Sequence, residues 1–316
     1  MPHFSSRICK ESGVFSMDWK DGIQEFGFDC KVRKLSPKTI DNYSKQLRYF
    51  QRYLQSEFEL VEIEKVKAYH IKQFLAWMDD KGRQPRYIND LLKVFKTFFN
   101  YMVKEGHMPE SPAVKVKNMK QPKTKIITFS ENEIRKILNF YSGRTYLEIR
   151  NRTMIAMFFD TGMRLSEVIS LRWEQIREEY ILVHGKGAKE RLVPVSPYLA
   201  KAVMQYRQTK ESYFDGKLPE NYVFVSQTGK KLTAEAITKV LKKAAQVVNV
   251  NPQVRVSPHT CRHTFAHLQL KNGIDLYTLS RLMGHENVAI TQRYLEGIKD
   301  DEVLQKAQKA GVLANL

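Results

Sequence analysis

The chain has 316 residues, 42% of them hydrophobic, which is enough for two domains that each bury a core. Its 52 Lys and Arg residues outnumber the 34 Asp and Glu residues, and the formal net charge of +18 is typical of a protein that binds nucleic acid. An acidic membrane surface or an acidic protein would also attract this charge. The chain has no apolar stretch of about 18 residues and no secretion signal, which excludes a membrane-spanning helix and predicts a cytoplasmic protein.

Residues 1–34 have a mixed composition and weak periodicity. Gly13, Gly22 and Gly27 interrupt this stretch. Because glycine is a poor helix former, we interpret these residues as a short N-terminal extension without a helix.

The cysteines of the chain predict neither a disulfide nor a metal site. Cys9, Cys30 and Cys261 are odd in number and far apart, and they lack the paired spacing of zinc ligands or of a disulfide framework. We therefore expect reduced, structurally ordinary cysteines.

Residues 35–108 are predicted to form a small all-helical domain. Ser36 and Pro37 begin its first helix, because serine caps a helix N-terminus and proline is tolerated in the first turn. A second helix ends before Gly82, and a third begins at Pro85. Each carries apolar residues at helical spacing, so we expect three amphipathic helices around one core.

A change of composition separates this domain from the next. Residues 109–125 hold three prolines and five lysines and are predicted to form a basic linker. The second domain, residues 126–299, begins with Ser130 and Glu133, which are spaced as a helix capping box. Residues 300–316 have an amphipathic pattern that predicts a C-terminal tail helix.

The second domain is predicted to be mainly helical. A long apolar helix ends at Gly162, and strand-like runs at 180–184 and 191–195 flank a Gly-Lys-Gly turn, which predicts a hairpin. Further helices are predicted to begin at Ser196, Thr233, Ser257 and Asp275. The predicted fold class is therefore mainly α with a small antiparallel β-sheet, in two domains.

Two arginines of this domain are suited to bind a phosphodiester, since planar guanidinium groups match two phosphoryl oxygens at once. Arg164 follows the end of the long helix, and Glu167 is predicted to hold its guanidinium in a fork-shaped ion pair. Arg262 lies three residues after His259 in a helix that begins at Ser257, which places both side chains on one face. Each pair alone is also typical of a solvated helix surface.

A tyrosine near the C-terminus is a candidate nucleophile. Tyr294 lies nine residues after His285, in a segment that begins with a Gly-His turn. Because the pKa of a free tyrosine is about 10, a base must help remove its proton, and His259 is a candidate acceptor. Lys186, at the tip of the hairpin, is a candidate proton donor to a departing oxygen. Most tyrosines are instead half-buried packing residues, and a lysine at a hairpin tip is often only solvated.

These residues resemble, in type and in order, the tyrosine recombinase (phage integrase) family. The resemblance covers residues 35–312 and is most specific over 161–167 and 257–294. It implies a SAM-like core-binding domain and a catalytic domain that close on duplex DNA as a clamp. It also implies a set of catalytic residues, with Glu167 in support: Arg164, Lys186, His259, Arg262, His285 and Tyr294.

The same resemblance implies the reaction and the assembly. The enzyme would cut and rejoin duplex DNA at specific sites through a 3′-phosphotyrosine at Tyr294, without a metal or cofactor because the ester retains the bond energy. Four protomers would exchange strands in a synaptic tetramer, and the need for accessory proteins is left open. The length is nearer to the Xer-like two-domain members than to the large phage integrases.

Basic residues predicted to contact DNA lie on two helices of the first domain and on the hairpin. The helical ones lie opposite the apolar stripes, which suits the major groove and its phosphates. Solvated helix faces would show the same pattern. The predicted DNA-contacting residues are Lys38, Lys45, Arg48, Arg52, Arg86, Asn89, Lys93, Lys96, Lys189 and Arg191.

Two other functions fit part of the pattern. A type IB topoisomerase would share the tyrosine chemistry but relax DNA as a monomer, and a DNA-binding regulator would keep the clamp without catalysis. The compact first domain and the tail favour a recombinase over a topoisomerase, and the complete catalytic set disfavours a regulator.

The sequence leaves open whether the tail docks on its own or a neighbouring protomer, and whether the enzyme serves a mobile element or chromosome resolution.

Overall fold

The computed structural model describes residues 17–122, 126–185, 190–217, 219–285 and 287–292. The chain divides into two compact units, residues 1–123 and 124–316, and each unit has its own hydrophobic core. The division falls near the end of the segment predicted to be a basic linker. In the part of the chain that the structure describes, no helix is both long and apolar enough to cross a membrane.

The first unit is a bundle of α-helices. They are α1 (Trp19–Val32), α2 (Pro37–Phe58), α3 (Ala68–Asp80) and α4 (Pro85–Lys104). The predicted start of α2 is confirmed, since Ser36 Oγ accepts a hydrogen bond from the backbone N–H of Thr39 at 3.2 Å. The Phe50 ring lies 5.0 Å from that of Phe74 and 4.5 Å from that of Phe95. Aromatic packing between α2, α3 and α4 therefore forms the centre of this core.

The first helix, α1, corrects the interpretation of residues 1–34 as an extension without a helix. Trp19 is fully buried, and its ring stacks on that of Phe98 at 5.9 Å. Gly22 packs so closely that a Cβ there would lie 2.8 Å from Ile63 Cδ1. Glycine costs a helix about 1 kcal/mol, but burial of the tryptophan and close packing outweigh that propensity. The core of the first unit therefore begins earlier than predicted.

We expect Trp19→Ala to lower the free energy of unfolding by about 3–5 kcal/mol, because it removes a fully buried ring from this cluster. Phe28→Ala on the same helix is the control. Phe28 is 68% exposed, and its loss should change the free energy of unfolding by less than about 0.5 kcal/mol. Urea titrations of the full chain followed by circular dichroism measure both values. Equal effects of the two substitutions would contradict the packing of α1.

The second unit consists of helices around a β-hairpin. Its elements are α5 (Glu131–Phe140), α6 (Tyr146–Thr161), α7 (Leu165–Ser170), β1 (Tyr180–His184), β2 (Glu190–Pro194), α8 (Pro197–Phe214), α9 (Ala234–Val247), α10 (Pro258–Lys271), α11 (Leu276–Met283) and α12 (Val288–Gln292). The two strands pair antiparallel, with Val183 opposite Arg191. The predicted fold class, mainly α with a small antiparallel sheet, is confirmed.

Side-chain caps begin the helices of the second unit at the predicted positions. The capping residues are Ser130, Ser196, Thr233, Ser257 and Asp275. Each side chain accepts a hydrogen bond from the backbone N–H three residues later, a group that has no partner within the helix. Short polar residues ahead of apolar periodicity were therefore sufficient to predict these helix starts.

The end of α6 packs tightly against α10. Gly162 ends α6 in the left-handed conformation, with φ of +59°, and a side chain there would collide with the ring of Phe265. Glycine tolerates both this backbone conformation and this close approach. The close packing holds Arg164, two residues later, near the turn of α10 that carries Arg262.

Candidate active site

Arg262 lies in α10 with only 3% of its surface exposed. Its Nη1 donates to the Gly162 carbonyl and its Nη2 donates to the Met283 carbonyl, each at 2.6 Å. A buried guanidinium costs free energy unless its N–H groups are bonded, so these carbonyls hold the side chain in one orientation. The charge of Arg262 is thus fixed between the ends of α6 and α11.

Arg164 is the N-cap residue of α7, and its side chain is 40% exposed. Its Nη1 donates to Glu167 Oε1 at 2.9 Å, and its backbone N–H donates to Oε2 at 2.7 Å. Its Nη2 donates to the Gly284 carbonyl at 3.0 Å. The predicted ion pair between Arg164 and Glu167 is present, but one side-chain N–H forms it rather than a fork.

Arg191 makes the fork-shaped pair with Glu167 instead. Its Nη1 and Nη2 donate to Oε1 and Oε2 at 2.9 and 2.7 Å, and its Nε donates to the Leu282 carbonyl at 2.8 Å. Only 9% of the Arg191 side chain is exposed. This placement corrects the prediction of Arg191 as a DNA-contacting residue of the hairpin, because the guanidinium faces the interior of the unit.

Glu167 is the acceptor that Arg164 and Arg191 share. Burial acts to raise the pKa of its carboxyl, but the hydrogen bonds and charge of Arg191, with further bonds from Arg164, outweigh burial and lower the pKa below its ordinary value. Both oxygens accept a hydrogen bond from each arginine. The carboxylate is therefore ionised at neutral pH and fixes the relative positions of α7 and β2.

The C-terminal end of α11 accepts hydrogen bonds from three arginines at consecutive carbonyls. The pairs are Leu282 with Arg191, Met283 with Arg262, and Gly284 with Arg164. The last carbonyls of a helix have no partner within it and carry the negative end of its dipole, which cations stabilise. Sequence analysis missed this arrangement because a backbone acceptor leaves no side-chain signature.

His285 directly follows this helix end, and its ring is hydrogen-bonded on both sides. Its Nε2 lies 3.0 Å from Arg262 Nη2, and its Nδ1 lies 2.7 Å from Thr291 Oγ1 in α12. Arginine has no acceptor, so Nε2 accepts and Nδ1 carries the proton that it donates to Thr291. The structure thus brings two predicted site residues, His285 and Arg262, into contact.

His259 lies in the first turn of α10 and is exposed, whereas Arg262 is buried. The ring of His259 meets that of His263 edge-on, with 4.5 Å between the centroids. His263 is itself largely buried, and sequence analysis did not single it out. His259 is therefore accessible to a substrate at the N-terminal turn of the helix that carries Arg262.

Three predicted site residues lie outside the described residues: Lys186, Lys189 and Tyr294. Along the chain, the two lysines fall between β1 and β2, and the tyrosine follows α12. The segment 300–316, predicted to form the tail helix, also lies outside the described residues. The roles assigned to these residues stay predictions.

Most of the predicted DNA-contacting residues of the first unit are exposed. The exposed ones are Lys38, Lys45, Arg48, Arg52, Arg86 and Lys93, whereas Lys96 is half-buried. Lys45 Nζ lies 2.7 Å from Asp41 Oδ2, so part of its charge is already paired. The basic faces of α2 and α4 are thus open to solvent, as a DNA-binding surface requires.

Asn89 is the exception among these residues. Its Oδ1 accepts from the backbone N–H of Met119 at 2.8 Å, and its Nδ2 donates to the Met119 carbonyl at 3.0 Å. Both polar ends of the amide are therefore bonded to the segment that follows α4. These bonds give Asn89 a structural role, and its contact with DNA stays a prediction.

Two family models match the chain. The model of the phage integrase family matches residues 128–299, which is more than half of the chain, and the model of the phage integrase N-terminal SAM-like domain matches residues 29–106. The chain belongs to the phage integrase family. It is a tyrosine recombinase, an enzyme of site-specific DNA recombination.

Similar proteins include the tyrosine recombinases XerD and XerC. The chain is 28% identical to tyrosine recombinase XerD of Listeria innocua over 278 residues, which cover 87% of this chain and 93% of the relative. It is 29% identical to XerD of Halalkalibacterium halodurans, over 87% of this chain and 92% of the relative. It is 28% identical to XerC of Pediococcus pentosaceus, over 85% and 90% of the two chains.

Solved structures share the fold. The XerH site-specific recombinase in a post-cleavage complex with its palindromic difH substrate has a TM-score of 0.71 at 19% identity, and the match covers 92% of this chain and 84% of that one. The Tn1549 transposon integrase in complex with a circular intermediate DNA has a TM-score of 0.70 at 16% identity, covering 94% and 100% of the two chains.

We expect Glu167→Gln to lower the free energy of unfolding at neutral pH by about 3–5 kcal/mol, because it leaves the buried guanidinium of Arg191 without its counter-charge. The pKa of Glu167 is lowered in the folded chain. At pH values above the unfolded pKa of about 4.3, the ionised carboxylate therefore stabilises the fold. This stabilisation is lost as the pH falls through the lower pKa of the folded chain. The difference between wild type and variant should therefore shrink in acid.

Denaturant titrations at neutral and acidic pH measure this difference. Glu178→Gln is the matched control, since Glu178 is exposed in the turn before β1. A penalty for Glu167→Gln that is the same at both pH values, or no larger than that of the control, would contradict the paired state of the carboxylate.

Proposed function

We propose that the chain cuts and rejoins duplex DNA at specific sites, with Tyr294 as the nucleophile and with Arg164 and Arg262 binding the scissile phosphate. One observation carries this proposal: the two arginines are hydrogen-bonded to adjacent carbonyls, those of Gly284 and Met283. Two cations from distant parts of the sequence are thereby fixed at the start of the segment that leads to Tyr294. This arrangement suits a phosphodiester, which carries negative charge on two non-bridging oxygens.

The proposed reaction is a transesterification at phosphorus. The phenolic oxygen of Tyr294 bonds to phosphorus while the bond from phosphorus to the 5′-oxygen breaks, which leaves a 3′-phosphotyrosine and a 5′-hydroxyl. His259 accepts the phenolic proton, and Lys186 gives a proton to the departing 5′-oxygen; both roles rest on side-chain chemistry and on the family resemblance. A 5′-hydroxyl of another strand then reverses the step, and no cofactor is needed because the ester keeps the bond energy.

The fixed arginines favour the transition state of this reaction. The non-bridging oxygens gain negative charge as the phenolic oxygen attacks, and donors that are already oriented stabilise this charge without reorganising. Arg262 is held by backbone carbonyls and by His285 before substrate binds. Arg164 has the more exposed side chain of the two arginines and is the one that a phosphate in solution reaches first.

We infer that the exposed basic faces of α2 and α4 bind the phosphates of duplex DNA. Arg48 and Arg52 on α2, and Arg86 and Lys93 on α4, are open to solvent. Together with the net charge of +18, such contacts make affinity fall steeply with salt and fix the position of the protein on the duplex. The XerH and Tn1549 integrase structures both contain DNA, which supports the same partner for this chain.

We further propose a homo-oligomer on DNA, with four protomers in the synapse. Exchange of both strands between two duplexes needs four cleavage events, and each protomer would supply one Tyr294. Similarity to XerD and XerC over about nine tenths of their length supports a two-domain enzyme of this kind. In this proposal residues 300–316 dock on a neighbouring protomer.

We expect Tyr294→Phe to abolish the covalent protein–DNA adduct completely, since phenylalanine has no nucleophilic oxygen. The substrate is a nicked duplex that carries a site selected by the wild-type chain from random-sequence DNA in gel-shift rounds. Denaturing gels measure the adduct that the wild type forms when the short cleaved fragment diffuses away. Tyr277→Phe is the control, because Tyr277 is 63% exposed on α11, and it should form the adduct at the wild-type rate.

An adduct formed by Tyr294→Phe, or none formed by the wild type on its selected site, would contradict the proposed nucleophile. Four-way junctions from two intact duplexes would support strand exchange. Relaxation of supercoiled plasmid without junctions would indicate topoisomerase activity instead.

A further inference from the structure

We propose that Arg191 is a positioning residue of the recombination reaction. Its guanidinium joins the hairpin, the turn that carries Arg164 and the end of α11. The proposal rests on the proposed function, because it assigns Arg191 a part in orienting Arg164 and His285. It differs from the sequence prediction, in which Arg191 contacts DNA. It adds a residue that the catalytic set does not contain.

The first support is the way in which all three nitrogens of the guanidinium are used. Nη1 and Nη2 bind both oxygens of Glu167, and Nε binds the Leu282 carbonyl. Glu167 in turn binds the side chain and the backbone N–H of Arg164. The orientation of the Glu167 carboxylate, and with it that of Arg164, therefore depends on Arg191.

The second support is the close fit of Arg191 against the turn that precedes His285. A Cβ on Gly284 would lie 3.0 Å from Arg191 Cδ and 3.1 Å from its Nη1, and Gly284 has a φ of +62°. A side chain at position 284 would therefore push the guanidinium away from Glu167. The missing Cβ allows Arg191 to lie against the backbone whose next residue, His285, binds Arg262.

The third support is the position of Arg191 in the hairpin. It is the second residue of β2, pairs with Val183 of β1 and follows Lys186 by five residues along the chain. The hydrogen bonds of Arg191 therefore connect the strand that follows the proposed proton donor in sequence with Arg164, the arginine proposed to bind the phosphate. The side chain is 9% exposed, which leaves little surface for a DNA contact.

Lysine could not replace Arg191 in this role. One ammonium group presents its donors from a single nitrogen, whereas the guanidinium spans two carboxylate oxygens and a carbonyl in one plane. A phosphate contact, by contrast, needs mainly the positive charge, which lysine keeps. The effect of Arg191→Lys therefore separates a positioning role from a DNA contact.

Arg191 also affects the protonation of Glu167. Burial raises the pKa of this carboxyl, and Arg191 provides the largest opposing effect. Without Arg191 the carboxyl of Glu167 should take up a proton at a higher pH, and the protonated group would no longer form an ion pair with Arg164. The acid side of the pH–rate profile for cleavage should then move to higher pH, which a general loss of stability would not produce.

The test compares wild type, Arg191→Lys, Arg191→Gln and Arg177→Gln on the selected nicked duplex. Single-turnover cleavage at saturating DNA, across a range of pH, gives the rate, gel shift gives the Kd, and thermal unfolding monitors the fold. Arg177 is an exposed arginine in the turn before β1 and serves as the control. Wild type and Arg177→Gln should both form the adduct at the same rate, which separates a failure of this proposal from a failure of the proposed function.

We expect both Arg191 variants to cleave about 100-fold more slowly than wild type, since a displacement of about 1 Å has this effect on an oriented group. Their Kd should stay within about threefold of the wild-type value. At a temperature where both remain folded, the acid side of the pH–rate profile of Arg191→Gln should lie at higher pH, because glutamine removes the charge that lysine keeps. A wild-type rate at saturating DNA, a loss confined to Kd, or an unshifted acid side in folded Arg191→Gln would overturn the proposal.

Discussion

The catalytic unit depends on one buried carboxylate that must be ionised and fully hydrogen-bonded. Glu167 is largely buried, and an unpaired charge at such a site costs several kcal/mol. Its oxygens are satisfied only when Arg164 on the α7 turn and Arg191 on β2 both approach it. This requirement fixes α7 and β2 relative to each other. It also fixes the position of Arg164, the more exposed of the two arginines proposed to bind the phosphate.

The same carboxylate explains why the end of α11 can hold three arginines. Guanidinium groups repel one another, and the helix offers only carbonyls and the weak negative end of its dipole. One carboxylate relieves part of this repulsion but leaves an excess of positive charge. That excess remains available for an anion, and in the proposed function this anion is the scissile phosphate. Stability and the proposed catalysis thus place opposite demands on the same few residues.

Much of this architecture could be predicted from local signals. Helix starts follow from capping residues such as Ser130 and Ser257, the hairpin follows from two β-rich runs around glycines, and Arg164 and Arg262 follow from their spacing within the family pattern. Other features depend on partners that no local pattern shows. The helix of Trp19 forms because tertiary packing outweighs its glycines.

Arg191 and Asn89 also have partners that local sequence patterns do not show. The sequence predicts both as polar surface residues, but Arg191 binds the Glu167 carboxylate and Asn89 binds the backbone of Met119, each distant in sequence. Whether a basic side chain faces DNA or the protein is decided by such long-range partners, and periodicity alone does not reveal them. For this reason periodicity gives a weaker basis for predicting DNA-contacting residues than the motif spacing gives for Arg164 and Arg262.

Hydrogen exchange at the end of α11 tests most directly whether the Glu167 carboxylate holds this site together. The full chain and its Glu167→Gln variant would be compared by mass spectrometry, with peptides from α2 in the first unit, which has its own core, as an internal reference. The account predicts faster exchange in the variant for the peptide that spans Leu282 to His285, and unchanged exchange in α2. Equal protection of that peptide in both proteins would contradict it.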